Sequence, residues 1–223
     1  MSDTDDLEKL DIPELAPIIV TRPYYYDLIT FKVQDELFKV PINAFLKESE
    51  VFRNMFLLPK GDIKVAEGSS DEKPLVLEGI YAKDFACLLQ ALYPDTSLFM
   101  PNGTLSLSKE QWISVLKLSH MWFFRRVRTL AIRKLQDLDP VRKIQLSASC
   151  EVSEWVRPAY LEIINRQDTL SQEECDMLGS QRAMVIMRVR ENSLKQVLRT
   201  RISNWVFDES AVVNLLTDEG IEM

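Results

Sequence analysis

The chain has 223 residues, 46% of them hydrophobic and 27% charged, with a formal net charge of −7. That length buries a substantial core in one domain plus an extension, or in two small domains. The acidic balance argues against general nucleic-acid binding, which needs a basic face, and no apolar run approaches the ~20 residues of a membrane span.

Residues 1–14 set Asp3, Asp5, Asp6, Glu8, Asp11 and Glu14 against Lys9 alone. They read as a disordered acidic tail, and as neither a signal nor a transit peptide. Residues 16–21, centred on Ile18-Ile19-Val20, read as a short strand that packs as a tether on its own domain. From residue 27 the pattern sharpens. Ile29, Phe31 and Val33 alternate with polar neighbours, and after Gln34-Asp35-Glu36 the run Leu37-Phe38-Lys39-Val40 forms a second strand, so the two make a hairpin. Pro41 stops the ladder. The period then turns helical, with Phe52, Met55 and Phe56 at i, i+3 and i+4.

Residues 58–74 are rich in Gly, Ser, Pro and charge, which predicts a solvated, mobile loop rather than a packed part of the domain. Within it, Ser69-Ser70-Asp71-Glu72 offers hydroxyls beside acids to an acid-directed kinase, so the loop is expected to be a regulated docking element. Leu75-Val76-Leu77 reads as a buried strand. Phe85, Leu88, Leu89 and Leu92 share one helical stripe that Pro94 closes. After a second loop at 95–107, Ser108 and Gln111 form a capping box for a helix with Trp112, Val115 and Leu116 inward. Trp112, Phe85 and Leu89 are expected in one core. The next helix carries Phe123, Val127, Leu130, Ala131 and Leu135 and ends before Asp139-Pro140. Beyond Pro140 only helices are predicted. One is marked by Val141, Ile144 and Ala148; another starts at Pro158 and carries Ile163. A third runs from the Ser171–Glu174 capping box to a Gly179 cap, and the longest spans 180–201.

Little in this pattern points to bond chemistry. His120 is the single histidine, and the three cysteines Cys87, Cys150 and Cys175 are widely spaced, without metal-type spacing. They fit small core residues in a reduced, cytoplasmic or nuclear setting. The six glycines form no phosphate-binding arrangement. The acidic pairs Asp71-Glu72 and Glu173-Glu174 are explained by a solvated loop and a helix N-terminus. No catalytic residue, cofactor or metal is therefore expected. Two basic clusters need weighing: Arg125, Arg126, Arg128, Arg133 and Lys134 on one helix, and Arg182, Arg188, Arg190, Lys195, Arg199 and Arg201 on the last. A nucleic-acid or anionic-membrane surface is one reading. A solvated face paired with the acidic stretches 1–14 and 208–222 is preferred, because no base-stacking aromatic is interleaved.

An Asp-led hairpin that runs directly into two short helices, the second reading Ser49-x-x-Phe52-x-x-Met55-Phe56, resembles the opening of the BTB/POZ fold. The run from Gly68 through Ser69-Ser70-Asp71-Glu72-Lys73-Pro74 to Leu75 resembles the BTB-domain proteins numerous in mushroom-forming fungi. So do Asp84-Phe85, Leu92-Tyr93-Pro94 and Trp112-x-x-Val115-Leu116-Lys117-Leu118-Ser119. The likeness is strong over 27–138 and weaker through 191. It implies an α+β chain: an acidic N-terminal tail with its short strand (1–23), a BTB/POZ domain made of a small sheet with surrounding helices (24–138), an all-helical C-terminal extension (139–201) and an acidic C-terminal tail (202–223).

The function so implied is protein–protein interaction by self-association or by pairing with another BTB protein, as a homodimer or heterodimer, with no nucleic acid or membrane as partner. In many members an N-terminal strand is exchanged between subunits, which gives the strand at 18–20 a second reading. The implied interface residues are Ile18, Ile19, Val20, Asp27 and Phe45. The alternative is a substrate-recruiting adaptor of a cullin-type ubiquitin ligase. In the family a hydrophobic-x-acidic motif before the third strand serves that docking, supported by helices after the core. Here Val65-Ala66-Glu67 lies in the matching loop, so Val65 and Glu67 are the expected docking residues, and the helices after Pro140 occupy the supporting position. The chain also departs from the animal pattern. Pro41 replaces the histidine that usually follows the second strand, and Ile42 stands where dimerising zinc-finger members carry a basic residue facing the Asp that matches Asp27. That charged pocket does not carry over, and Asp27 is left to cap or orient the hairpin.

Overall fold

The structure is a computed structural model that describes residues 26–57, 67–94 and 106–200, with side chains through Leu194 on the last helix, together with Val213, Asn214 and Thr217. The expected strand at 16–21, Val65 and most of both acidic ends lie outside the described residues.

The hairpin forms as its alternation requires. Strand β1 (Leu28–Val33) pairs antiparallel with β2 (Glu36–Pro41), Phe31 opposite Phe38. Ile29, Phe31 and Val33 turn inward and are buried. Gln34 takes the left-handed turn conformation (φ 55°), and its side-chain oxygen accepts from the Ala82 N–H at 2.9 Å. Past Pro41, which has no N–H to give, the Ile42 N–H donates to the Asp27 carbonyl at 2.9 Å and closes the hairpin's open end.

Helices α1 (Asn43–Glu48) and α2 (Glu50–Leu57) follow, broken apart by Ser49, whose backbone is extended. The buried Ser49 hydroxyl accepts from the Phe52 N–H at 3.2 Å, the bond expected of an N-cap, and donates to the Trp122 carbonyl at 2.5 Å. Strand β3 (Leu75–Val76) returns parallel to β1, so the sheet order is β2-β1-β3. The buried strand expected at residues 75–77 is thus only two residues long. As the edge of the sheet, it leaves Val76 54% exposed.

The segment before β3 corrects the expectation of a loop free of the domain. From Glu67 it packs on the sheet: the Gly68 N–H donates to the Lys73 carbonyl and the Gly68 carbonyl accepts from the Thr30 N–H, both at 2.8 Å. Gly68 is buried at φ +81°. Solubilising composition misled here because polar side chains can decorate a turn whose backbone is hydrogen-bonded to itself and to the sheet.

Helix α3 (Ala82–Leu92) meets the sheet through Phe85, whose ring packs on Phe31 and Phe38; α4 (Lys109–Met121) packs on α3, and α5 (Arg125–Lys134) on α4. The Ser108–Gln111 capping box opens α4 as predicted. Phe85 and Trp112 are buried in one cluster, with Leu89 packed against it. An aromatic nest centres that cluster. Phe31 lies 4.8 Å from Phe45, 5.9 Å from Phe52 and 5.4 Å from Phe85, ring centre to ring centre. Phe123 does not join it: α5 begins two residues later, Phe123 is 55% exposed, and Phe124 is the fully buried ring.

Asp139 caps α6 (Pro140–Cys150), accepting from the Val141 and Arg142 N–H groups with Pro140 in the first turn. Ala148 is exposed, and Leu146, Ser147 and Cys150 face inward instead. A 3-10 turn (Ser153–Trp155) leads into α7 (Val156–Asn165), with Pro158 third in the helix rather than first. Then come α8 (Gln172–Leu178) and α9 (Ser180–Thr200). These helices form a second core around Tyr160, Ile163, Ile164 and Ile186. Helix α6 serves both cores, with Leu146 and Cys150 in the first and Val141 and Ile144 in the second. The extension is therefore joined to the α+β part through a shared helix rather than by a linker.

One ion pair fastens the extension. Glu174 accepts from both terminal nitrogens of Arg166, at 2.7 and 2.5 Å, and from the Ser171 N–H at 2.7 Å. The Arg166 hydrogen bonds above all hold its carboxyl down to about 2. The folded pKa lies below the unfolded one, so this stabilisation is complete above about pH 5 and is lost as pH falls toward 2. Glu174→Gln should cost about 2 kcal/mol at pH 7 by urea unfolding, and its difference from the parent should vanish near pH 2. A difference that persists at pH 2 would assign the cost to something other than this charge.

Candidate interaction surface

Because β1 alternates, fixing Phe31 on the core turns Leu28, Thr30 and Lys32 to the other face of the sheet. Pairing brings Pro41, Lys39 and Leu37 beside them from β2, and Val76 beside Lys32 from β3. Among the described residues this outer face carries no helix layer. Leu28 is 52% exposed, Leu37 50% and Val76 54%. Thr30 at the centre is buried because the 67–73 turn lies over it. Its hydroxyl donates to the Asp71 carboxylate at 3.2 Å, and the Lys39 ammonium donates to the same oxygen at 3.1 Å. Those bonds, with Lys39 first, hold the Asp71 carboxyl below the ordinary carboxylate range. Beyond Lys32 a shallow cleft is lined by Gln34, Val76, Leu77, Glu78, Gly79 and Ile80.

The sheet order also leaves the far edge of β2 without a strand neighbour among the described residues. At the end of β2 the Tyr93 hydroxyl donates to the Pro41 carbonyl. Burial pushes that phenol up, so it stays protonated as a donor at neutral pH.

The residues expected at an interface separate on this structure. Asp27 is exposed at the head of β1, between exposed Tyr26 and Leu28. Phe45 is not at the surface: it is 0% exposed, with Phe31, Phe52, Phe85 and Phe124 around its ring. Its helix is short and half-buried, and the apolar position nearest the sheet fills the core. Glu67 is exposed, beside Gly68 in the turn that packs on β1. Leu28, Leu37 and Val76 were not assigned to an interface from the sequence. The parity of the hairpin pairing was the signal that would have found them.

The titratable groups have structural explanations. His120 sits half-buried at the end of α4. Cys87 and Cys150 are buried, and burial pushes both thiols up, away from the thiolate that a nucleophile needs. Several of the arginines make bonds within the described residues, while the acidic ends expected to face them lie almost wholly outside those residues. Arg125 meets Glu50 at 2.8 Å and Arg126 meets Glu48 at 3.0 Å. Arg128 donates to the carbonyls of Cys150 and Glu151, both at 2.8 Å. Arg190 donates to the carbonyls of Asp168 (2.7 Å) and Arg166 (2.9 Å), just past the end of α7. Cations placed at helix C-termini in this way satisfy carbonyls that the helix leaves free. Among the described residues, no helix is long and apolar enough to cross a membrane.

Compared with known proteins, the chain matches no family model and no curated relative.

Proposed function

We propose that the chain is a protein–protein interaction module of BTB/POZ type that self-associates or pairs with another BTB/POZ protein. The observation that carries this reading is the outer face of the sheet, which among the described residues is covered only at Thr30 and Lys39 by the 67–73 turn and leaves Leu28, Leu37 and Val76 each half exposed or more, beside a β2 edge with no strand neighbour. The element order lends support: a hairpin passing into two short helices, then helices packed on the sheet and on one another, is the order that the resemblance implies. The mechanism is burial of apolar surface and completion of an open strand edge, not bond chemistry. A stable dimer would hide roughly 1,200–2,000 Å² in total. The double variant Leu37→Lys and Val76→Lys tests where that contact lies. It should keep the parent's melting temperature and weaken association by about tenfold or more, a loss of about 1.4 kcal/mol. An unchanged association constant would move the interface elsewhere.

The adaptor reading rests on Glu67, an exposed carboxylate beside Gly68 in the turn that packs on β1. Glu67→Lys should abolish capture of a cullin and leave self-association intact. Capture that survives the change would discard the motif. A parent chain that captures no cullin would discard the adaptor role.

A further inference from the structure

Phe123 occupies a conformation that its side chain disfavours. It follows α4 at φ +56°, its N–H donates to the His120 carbonyl at 3.2 Å, and the Phe124 N–H donates to the Ser119 carbonyl at 2.9 Å. This pair of bonds is the helix ending in which the left-handed residue is ordinarily glycine. An aromatic side chain there carries a backbone strain that glycine would avoid. Core packing does not explain the choice. The Phe123 ring is 55% exposed and Met121 is 54% exposed. Their neighbours Trp122 and Phe124 are the rings that turn inward onto Phe52, at 5.3 and 5.9 Å. The result is an apolar knob held outward at cost.

Its surroundings are basic. Arg125 and Arg126 follow directly, their side chains 79% and 69% exposed. Each already meets one glutamate, the exposed Glu50 for Arg125 and the largely covered Glu48 for Arg126; the exposed pair contributes little, and each guanidinium has five donors, so both can take a further carboxylate. A ligand for such a place combines apolar side chains with carboxylates.

We propose that Met121 and Phe123, with Arg125 and Arg126 beside them, form a docking site for residues 1–14 of this same chain. That segment has six carboxylates against one lysine, with Leu7 and Leu10 three residues apart. Its attachment point is near. Asp27 is bonded to Ile42 at the head of α1, the six residues of α1 rise about 9 Å, and Ser49 just beyond them touches the Trp122 carbonyl at 2.5 Å. Residues 15–25 extend at most ~36 Å, ample for that span. Tethering of this kind supplies an effective concentration of about a millimolar, enough to populate a weak contact. The acidic segment then masks the corner until a tighter-binding partner displaces it. This inference stands apart from the BTB/POZ reading.

The test compares the full chain, a chain lacking residues 1–14, and Phe123→Gly in both. Phe123→Gly should fold, because glycine suits this helix ending. A synthetic peptide of residues 1–15, added to the shortened chain, should shift NMR signals at residues 121–126. Those shifts should disappear with Phe123→Gly and weaken several-fold when salt is raised roughly tenfold. Amide exchange at residues 123–126 should be several-fold slower in the full chain than in the shortened one. Shifts located elsewhere, equal shifts with Phe123→Gly, or no shift at millimolar peptide would overturn the proposal. So would a dimer that Phe123→Gly dissociates, because a second copy would then occupy the corner.

Discussion

Phe45→Ala should destabilise the chain by about 3–5 kcal/mol, a large fraction of the roughly 5–15 kcal/mol that holds a domain folded. The ring is fully buried, 4.9 Å from Phe52 and 5.5 Å from Phe124 as well as 4.8 Å from Phe31. Alanine would leave a void where α1 meets β1, α2, α3 and the residue that caps α5. The rings around it belong to different elements, so no small movement closes the gap. A urea midpoint shifted far down, with the parent's m-value, is the expected result. A variant that keeps its midpoint and loses only its oligomeric state would return Phe45 to an interface.

Gly68→Ala should cost about 2–5 kcal/mol, although it adds one methyl group. Two penalties combine. At φ +81° any L side chain is strained, which costs roughly 1–2 kcal/mol. The new Cβ would also stand 2.7 Å from Ile29 Cγ1 and 3.0 Å from its Cδ1, and overpacking of a core costs about 1–3 kcal/mol. Ile29 is itself 3% exposed and has little room to retreat. Gly79 at φ +77° provides the control, because a Cβ there meets nothing within 4 Å. Gly79→Ala should pay only the backbone penalty. Equal costs at the two positions would show that the contact with Ile29 is relieved by an inexpensive shift.

Elements with strong local signals were legible in the sequence. The alternation of Ile29, Phe31 and Val33, the switch to a helical period before Phe52, and both capping boxes appear in the structure at the expected residues. Features fixed by distant partners were not. The chemistry of the 67–73 turn is polar, yet Thr30 and Lys39, over 30 residues away, decide that it packs. Phe123 and Phe124 are the same residue type, and only the left-handed step at the end of α4 sends one ring out and the other in. Arg128 and Arg190 read as surface charge because their acceptors are carbonyls 22 or more residues away. At the candidate interface Asp27 stands exposed at the head of β1, whereas Phe45 was misassigned because an apolar helix position looks the same whether it meets its own core or a partner's.

Sedimentation equilibrium of the unmodified chain over about 1–50 μM, a range in which specific interfaces of standard size associate, tests the central claim most directly. A mass that rises with concentration from the 25.8 kDa of one chain to twice that value is the result predicted for a self-associating module. A mass that stays at one chain across the range, with no BTB/POZ protein recovered alongside it from its native cell, would contradict that account.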